Sequence, residues 1–173
     1  MEVFLQPGEI CMADRPTVIT TLLGSCVAVT MFSPQRGVGG ICHGLLPSCR
    51  GEKPCRCDEY CLEGIRYVDC SIMRMLAWFR DNGIPREELV VKVFGGSDML
   101  PYGESVKKAT IGRQNIDVAF RMIEQEMLKL AASDVGGERG RKIIFSSSSG
   151  EVLLKRLNKG KQLDVISGRR PTK

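Results

Sequence analysis

TVITTLLGSCVAVTMFSPQRGVGGICHGLLP, residues 17–47, is the stretch that decides the fold. Thr17–Leu23 and Val27–Phe32 are rich in Val, Ile, Thr and Leu, residues that fit a pleated surface, and Gly24 and Ser25 between them mark a sharp turn. Cys26 sits at that turn. Ser33–Gly37 has hairpin-loop chemistry, since Pro34 fixes its own φ and Gly37 tolerates positive φ. Val38–Leu46 then returns as a further strand carrying His43, and Pro47 ends it.

Downstream the period changes from two to between three and four. Between Glu59 and Asn82 the apolar positions Ile65, Val68, Ile72, Met75, Leu76 and Phe79 form a helical stripe closed by Gly83 and Pro85. Leu89–Phe94 reads as a short strand running into Gly95 and Gly96. A second amphipathic helix is predicted from about Asn115 to Leu130, with Ile116, Phe120, Ile123, Met127 and Leu130 on one face, followed by a loop containing Gly136 and Gly137. Lys142–Phe145 and Glu151–Leu157 flank a polar SSSSG turn and read as a hairpin. Strands dominate both ends and two helices lie between them, which makes the chain an α+β protein.

Its 173 residues suit one domain, expected over 1–157, and 43% hydrophobic residues are enough to build a core. The net charge of +5 is unevenly placed. Residues 155–173 hold Lys155, Arg156, Lys159, Lys161, Arg169, Arg170 and Lys173 against Asp164 alone, so the body is close to neutral. This is not the basic face of a nucleic-acid binder; residues 158–173 are expected to form a flexible basic tail. The sequence contains no run of apolar residues long enough for a membrane helix and no secretory leader pattern, so a soluble cytoplasmic protein without membrane insertion is expected.

His43 is the only histidine. A hairpin of Val27–Phe32 with Val38–Leu46 would bring the thiol of Cys26, at the start of one strand, near that imidazole on the other. A thiol with a pKa of about 8.5 is mostly protonated at neutral pH, and an adjacent imidazole activates it by taking or balancing its proton. Such pairs carry out acyl transfer. The Gly24-Ser25-Cys26 turn leaves room for substrate and can aim backbone N–H groups at a developing oxyanion. Thr20 or Thr21 could orient the far nitrogen of the imidazole. An inert buried cysteine and a satisfied core histidine are the competing reading of the same residues.

TTLLGSCVAVTMFSP followed by GVGGICHGLLP resembles the signature of the chemoreceptor glutamine deamidases, the CheD family. VFGGSDM (93–99), IGRQN (111–115) and DVGGERGRKIIFSSSSGEVLLKRL (134–157) resemble later segments of that family in the same order. The resemblance implies a layered β core with helices packed outside. It implies a cysteine hydrolase, a protein-glutamine glutaminase, that converts glutamine side chains of methyl-accepting chemotaxis receptors into glutamates with release of ammonia, through a thioester and without a required cofactor. It places the nucleophile on Cys26, the base on His43 and the orienting threonine, six residues before the cysteine, on Thr20. It also implies a CheC-type phosphatase as a second partner. Gly95, Gly96 and Ser97 read as a tight turn, with part of a substrate groove as the alternative. Arg113 and Asn115 are expected to cap or stabilise the second helix.

CRGEKPCRCDEYC departs from the family pattern. Cys49, Cys55, Cys57 and Cys61 could hold a structural zinc or an iron–sulfur cluster, and Arg50, Lys53 and Arg56 beside them would favour thiolates; reduced, uncoordinated thiols are the alternative. Two non-catalytic functions compete with the deamidase: an adaptor that binds receptors or the phosphatase, and a metal-binding regulator in which His43 joins the loop cysteines.

Overall fold

The computed structural model describes residues 1–49, 64–98 and 109–157. Its strands and helices are, in chain order, β1 (Glu2–Phe4), β2 (Ile10–Ala13), β3 (Val18–Leu23), β4 (Val27–Ser33), β5 (Val38–Gly44), α1 (Val68–Asp81), β6 (Val90–Gly95), α2 (Ile111–Gln125), β7 (Lys129–Val135), β8 (Arg141–Ser146) and β9 (Val152–Arg156). The strands form a four-stranded sheet, β1-β3-β8-β9, and a five-stranded sheet, β2-β5-β4-β6-β7. The α+β class is the one expected from the order of elements, and the layered β core the one that the family resemblance implies.

The β4–β5 hairpin runs antiparallel from Ser33↔Val38 to Val27↔Gly44, so Cys26 lies just beyond the last rung, at the end of β5. β4 is the central strand of the larger sheet and is buried along nearly its whole length, which is why VAVTMF reads as an almost continuous apolar run. One face of it, with Val27, Val29 and Met31, packs under Val68, Ile72, Met75 and Phe79 of α1 and Ile116, Ala119 and Ile123 of α2. The opposite face meets the smaller sheet through a second cluster: Ala28, Ile41 and Phe94 against Leu5, Ile19, Leu23, Ile143 and Phe145. The order of layers is therefore helices, five-stranded sheet, four-stranded sheet. Among the described residues no helix is long and apolar enough to cross a membrane.

The boundaries differ from the sequence reading in several places. The N-terminal segments β1 and β2 are strands that their short, mixed sequences did not announce; β1 pairs parallel with β3, and β2 antiparallel with β5. Helix α2 starts at Ile111, where the Thr110 hydroxyl accepts from the Arg113 amide at 3.2 Å, and stops at Gln125. Met127, at φ 52°, turns the chain into β7, parallel to β6. Because β7 is an edge strand with most of its residues exposed, KLAASDV carries no alternation; Met127 and Leu130 merely extend the helical spacing by coincidence. Helix α1 starts at Val68, after a 3-10 turn over Gly64–Arg66 that takes Ile65 out of the expected stripe; residues 59–63 of the expected first helix lie outside the described residues, as does the basic tail from 158 on.

Candidate active site

β3 alternates cleanly: Val18, Thr20 and Leu22 lean outward, and Ile19, Thr21 and Leu23 point into the layer between the sheets. On β5, Ile41 and His43 share the face that meets this layer, and Ala28 of β4 lies directly opposite His43. Cys26, two residues before Ala28, packs against the same inter-sheet cluster. Cys26 and His43 therefore both border the layer between the sheets.

The residue that completes the group is Thr21, not Thr20. Its Oγ1 lies 2.7 Å from His43 Nδ1, reaching across from the opposite sheet, and donates to the Leu5 carbonyl at 2.9 Å. Thr20 contributes its backbone carbonyl to the Leu5 amide at 2.8 Å, and its side chain occupies the outer face. The expectation of Thr20 fails because β3 is apolar at outward positions too, leaving no polar contrast in VITTLL to set the phase of the alternation.

This network fixes the histidine tautomer. A threonine hydroxyl has one proton, and the Leu5 carbonyl can only accept it. Nδ1 must then be the N–H donor to Oγ1, and Nε2 is left with its lone pair. Nε2 is buried and has no hydrogen-bond partner among the described residues. His43 is 1% exposed, and burial lowers its pKa from 6.5 to about 4, against smaller upward pulls from the Leu5 carbonyl and the Glu9 carboxylate. Burial likewise raises the Cys26 thiol above its ordinary value, partly offset by the cysteine's own amide. At neutral pH the resting pair is a thiol and a neutral imidazole, with a basic nitrogen waiting for a proton.

The Gly24–Cys26 turn is clamped from behind by the end of β6 and the residues after it. Gly96 N–H donates to the Cys26 carbonyl and Ser97 N–H to the Gly24 carbonyl, each at 2.8 Å. Gly95 sits at φ 107°, and a Cβ there would strike the Cys26 carbonyl oxygen, so close backbone approach requires glycine. Of the two readings of Gly95-Gly96-Ser97, these contacts describe a tight turn that supports the cysteine. Behind it Arg141, 3% exposed, donates to Ser97 Oγ at 2.5 Å, to Asp134 Oδ1 at 2.7 Å and to the Gly136 carbonyl at 2.7 Å, linking the two sheets. The sequence reading gave Arg141 no role: a strand arginine carries no signal of being buried.

Arg113 forms an exposed pair with Asp117 at 3.1 Å, in keeping with a helix-stabilising role. Asn115 does not cap the helix; it is fully buried and donates to the Ser25 and Leu45 carbonyls at 3.0 and 3.2 Å. Its place four residues before Ala119, on the packed side of α2, was the available signal. Of the candidate cysteine cluster only Cys49 falls within the described residues; Cys55, Cys57 and Cys61 lie outside them.

Fold and site together define an α+β protein in which a His43–Thr21 hydrogen bond and Cys26 border one layer between two sheets, residue types that thiol-dependent acyl transfer uses. A family model described as CheD chemotactic sensory transduction matches residues 52–156. The chain is 50% identical over 157 residues to the Geobacter sulfurreducens protein named "Probable chemoreceptor glutamine deamidase CheD 2", covering 91% of each. A match of that length in a chain of 173 takes in both Cys26 and His43 wherever it begins. It is also 41% identical to a Maridesulfovibrio salexigens protein, over 91% of this chain and 92% of the relative, and 39% identical to one from Pseudomonas savastanoi pv. phaseolicola, over 87% and 82%. Both bear the name "Probable chemoreceptor glutamine deamidase CheD". The chain belongs to the CheD family.

Proposed function

We propose that this protein is a chemoreceptor glutamine deamidase in which Cys26 is the nucleophile, His43 the general base and acid, and Thr21 the residue that orients His43. The observation that carries the reading is the buried Nε2 of His43, without a partner among the described residues, its tautomer set by Thr21 and Leu5, at the inter-sheet layer that Cys26 also borders.

Because both groups rest neutral, the thiol proton moves to Nε2 as sulfur attacks the substrate carboxamide carbon. The C=O electrons move onto oxygen, where N–H groups of the Gly24–Cys26 turn supply donors for the oxyanion. Collapse of this intermediate breaks the C–N bond, and the imidazolium returns its proton to the departing ammonia, leaving a thioester. Water then adds with Nε2 as base, the C–S bond breaks, the thiol recovers its proton, and a glutamate carboxylate remains. The steps use side chains, backbone N–H groups and water, and call on no metal or organic cofactor. Each turnover places a negative charge on a receptor helix, changing its local electrostatics.

The proposed place of action is the cytoplasm, on the methyl-accepting receptors' cytoplasmic helices. A CheC-type phosphatase competing with the receptor for the same mouth is part of the reading, supported by the family resemblance. Incubation with a receptor cytoplasmic fragment, followed by peptide mapping, tests the function: native protein converts Gln to Glu, a gain of about 1 Da per site, and Cys26→Ala does not. An adaptor would leave the receptor peptides unchanged while still binding the fragment, and deamidation undiminished in Cys26→Ala would dismiss the thiol mechanism.

A further inference from the structure

The β4–β5 ladder ends at Val27↔Gly44, one residue short of the nucleophile. Beyond that rung the two chains part. Ser25 and Gly24 turn back toward β3, whereas Leu45 and Leu46 donate to the Arg66 carbonyl at 2.8 and 3.0 Å and lead toward α1. Backbone pairing therefore does not by itself hold Cys26 in register with His43. Asn115 spans this gap. From α2, its Nδ2 donates to the carbonyl of Ser25, adjacent to the nucleophile, and to that of Leu45, two residues after the histidine.

We propose that Asn115 is a positioning residue for deamidation, tying the Cys26 turn to the end of the His43 strand so that Sγ and Nε2 stay within proton-transfer reach. The inference rests on Cys26 and His43 being the reacting pair. Three observations support it. The side chain is 0% exposed, so both donors are committed to these two carbonyls. Its orientation is fixed, since rotating the amide by half a turn would set Oδ1 against two carbonyl oxygens. Oδ1 is itself buried without a partner among the described residues, a burden that an apolar residue of the same size would avoid if packing were the only requirement. A carboxamide has two coplanar N–H donors and no charge; aspartate offers no donor when ionised, and serine only one.

Full-length native protein, Asn115→Asp and Asn115→Ala are compared in two assays. On a receptor cytoplasmic fragment, loss of the tie is expected to lower kcat about 100-fold with KM changed less than about twofold, because an ångström of misplacement disrupts a reacting geometry without removing binding surface. The second assay follows iodoacetamide labelling of Cys26, resolved by peptide mapping, at pH 7 and pH 10. Imidazole assistance sustains the neutral-pH rate, so the ratio of the rates at pH 7 and pH 10 is expected to fall about tenfold in the variants, whatever the change in exposure, while the ratio at Cys11 is unchanged. Native kcat in both variants, an unchanged Cys26 ratio, or a kcat that falls only in step with the unfolded fraction overturns the proposal. So does failure of both variants to fold, which would make Asn115 a structural residue. If native protein deamidates nothing, the function is wrong, and the labelling ratio still decides whether Asn115 sets the pair.

Discussion

Replacing Thr21 by valine keeps the β-branched shape and removes one oxygen. That oxygen closes two buried hydrogen bonds, to the Leu5 carbonyl at 2.9 Å and to His43 Nδ1 at 2.7 Å. Stranding a buried polar group costs about 1–3 kcal/mol, so two stranded groups predict a loss of about 2–4 kcal/mol in urea unfolding once partial relaxation is allowed. Catalysis loses a different quantity. While His43 carries the thiol proton it is an imidazolium, and its bond to Thr21 becomes charge-assisted, a type of bond worth about 1.5–3 kcal/mol. At about 1.4 kcal/mol per tenfold, kcat should drop about 10- to 150-fold. Thr20→Val, on the outer face of the same strand, is the matched control and should stay within about 0.5 kcal/mol and about twofold in kcat. The assays are denaturant titration and peptide mapping of a receptor fragment, run on both variants in parallel. Equal losses at the two positions, or a Thr21→Val enzyme that is destabilised but turns over at the native rate, would refute the orienting role.

The pH dependence follows from the depressed basicity of His43. Neutral imidazole is the working form and its folded pKa is about 4, so kcat/KM should be level from pH 8 to about 5.5; an acid limb with an apparent pKa of about 6 to 7 would contradict this. Stability has the same sign. The unfolded imidazole takes a proton near pH 6.5 and the folded one only near pH 4, so this contribution is complete above the first value and is lost as pH falls toward the second. The loss is at most about 3 kcal/mol, and His43→Gln should flatten that part of the stability profile. Arg141→Met should cost about 3 kcal/mol in chemical denaturation, because it strands the Gly136 carbonyl and takes one partner each from Asp134 and from Ser97 Oγ, which keeps its bond to the Arg139 carbonyl. Arg156→Ala, whose exposed side chain meets the same aspartate, should cost under about 1 kcal/mol; equal effects would deny Arg141 its place as the buried link between the sheets.

The strands and turns around Cys26 were legible in residues 17–47, because a hairpin between neighbouring segments needs only local information: runs of Val, Ile, Thr and Leu, a Pro-Gly loop and a terminating proline. The stripe of α1 was equally plain, since Val68, Ile72, Met75 and Phe79 recur at helical spacing and all are buried. The chemistry was legible from scarcity, a single imidazole on the strand that pairs with the one following Cys26. Which threonine serves it was not. Thr20 and Thr21 are identical in type and adjacent, and only the packing of the second sheet, with Ile19 and Leu23 inward, turns Thr21 toward the ring. Nor could sequence reveal that the Leu5 carbonyl sets the tautomer, that Asn115 leaves its helix to hold two strand ends, or that Arg141 is buried. Those contacts join residues 16, 70, 90 and 44 positions apart, and no local pattern encodes them. Sequence carried most of the elements and the candidate reacting groups, because periodicity and side-chain chemistry are properties of the chain. The tertiary structure decided their partners, because a buried polar group takes whatever donor or acceptor the packing of distant segments brings to it.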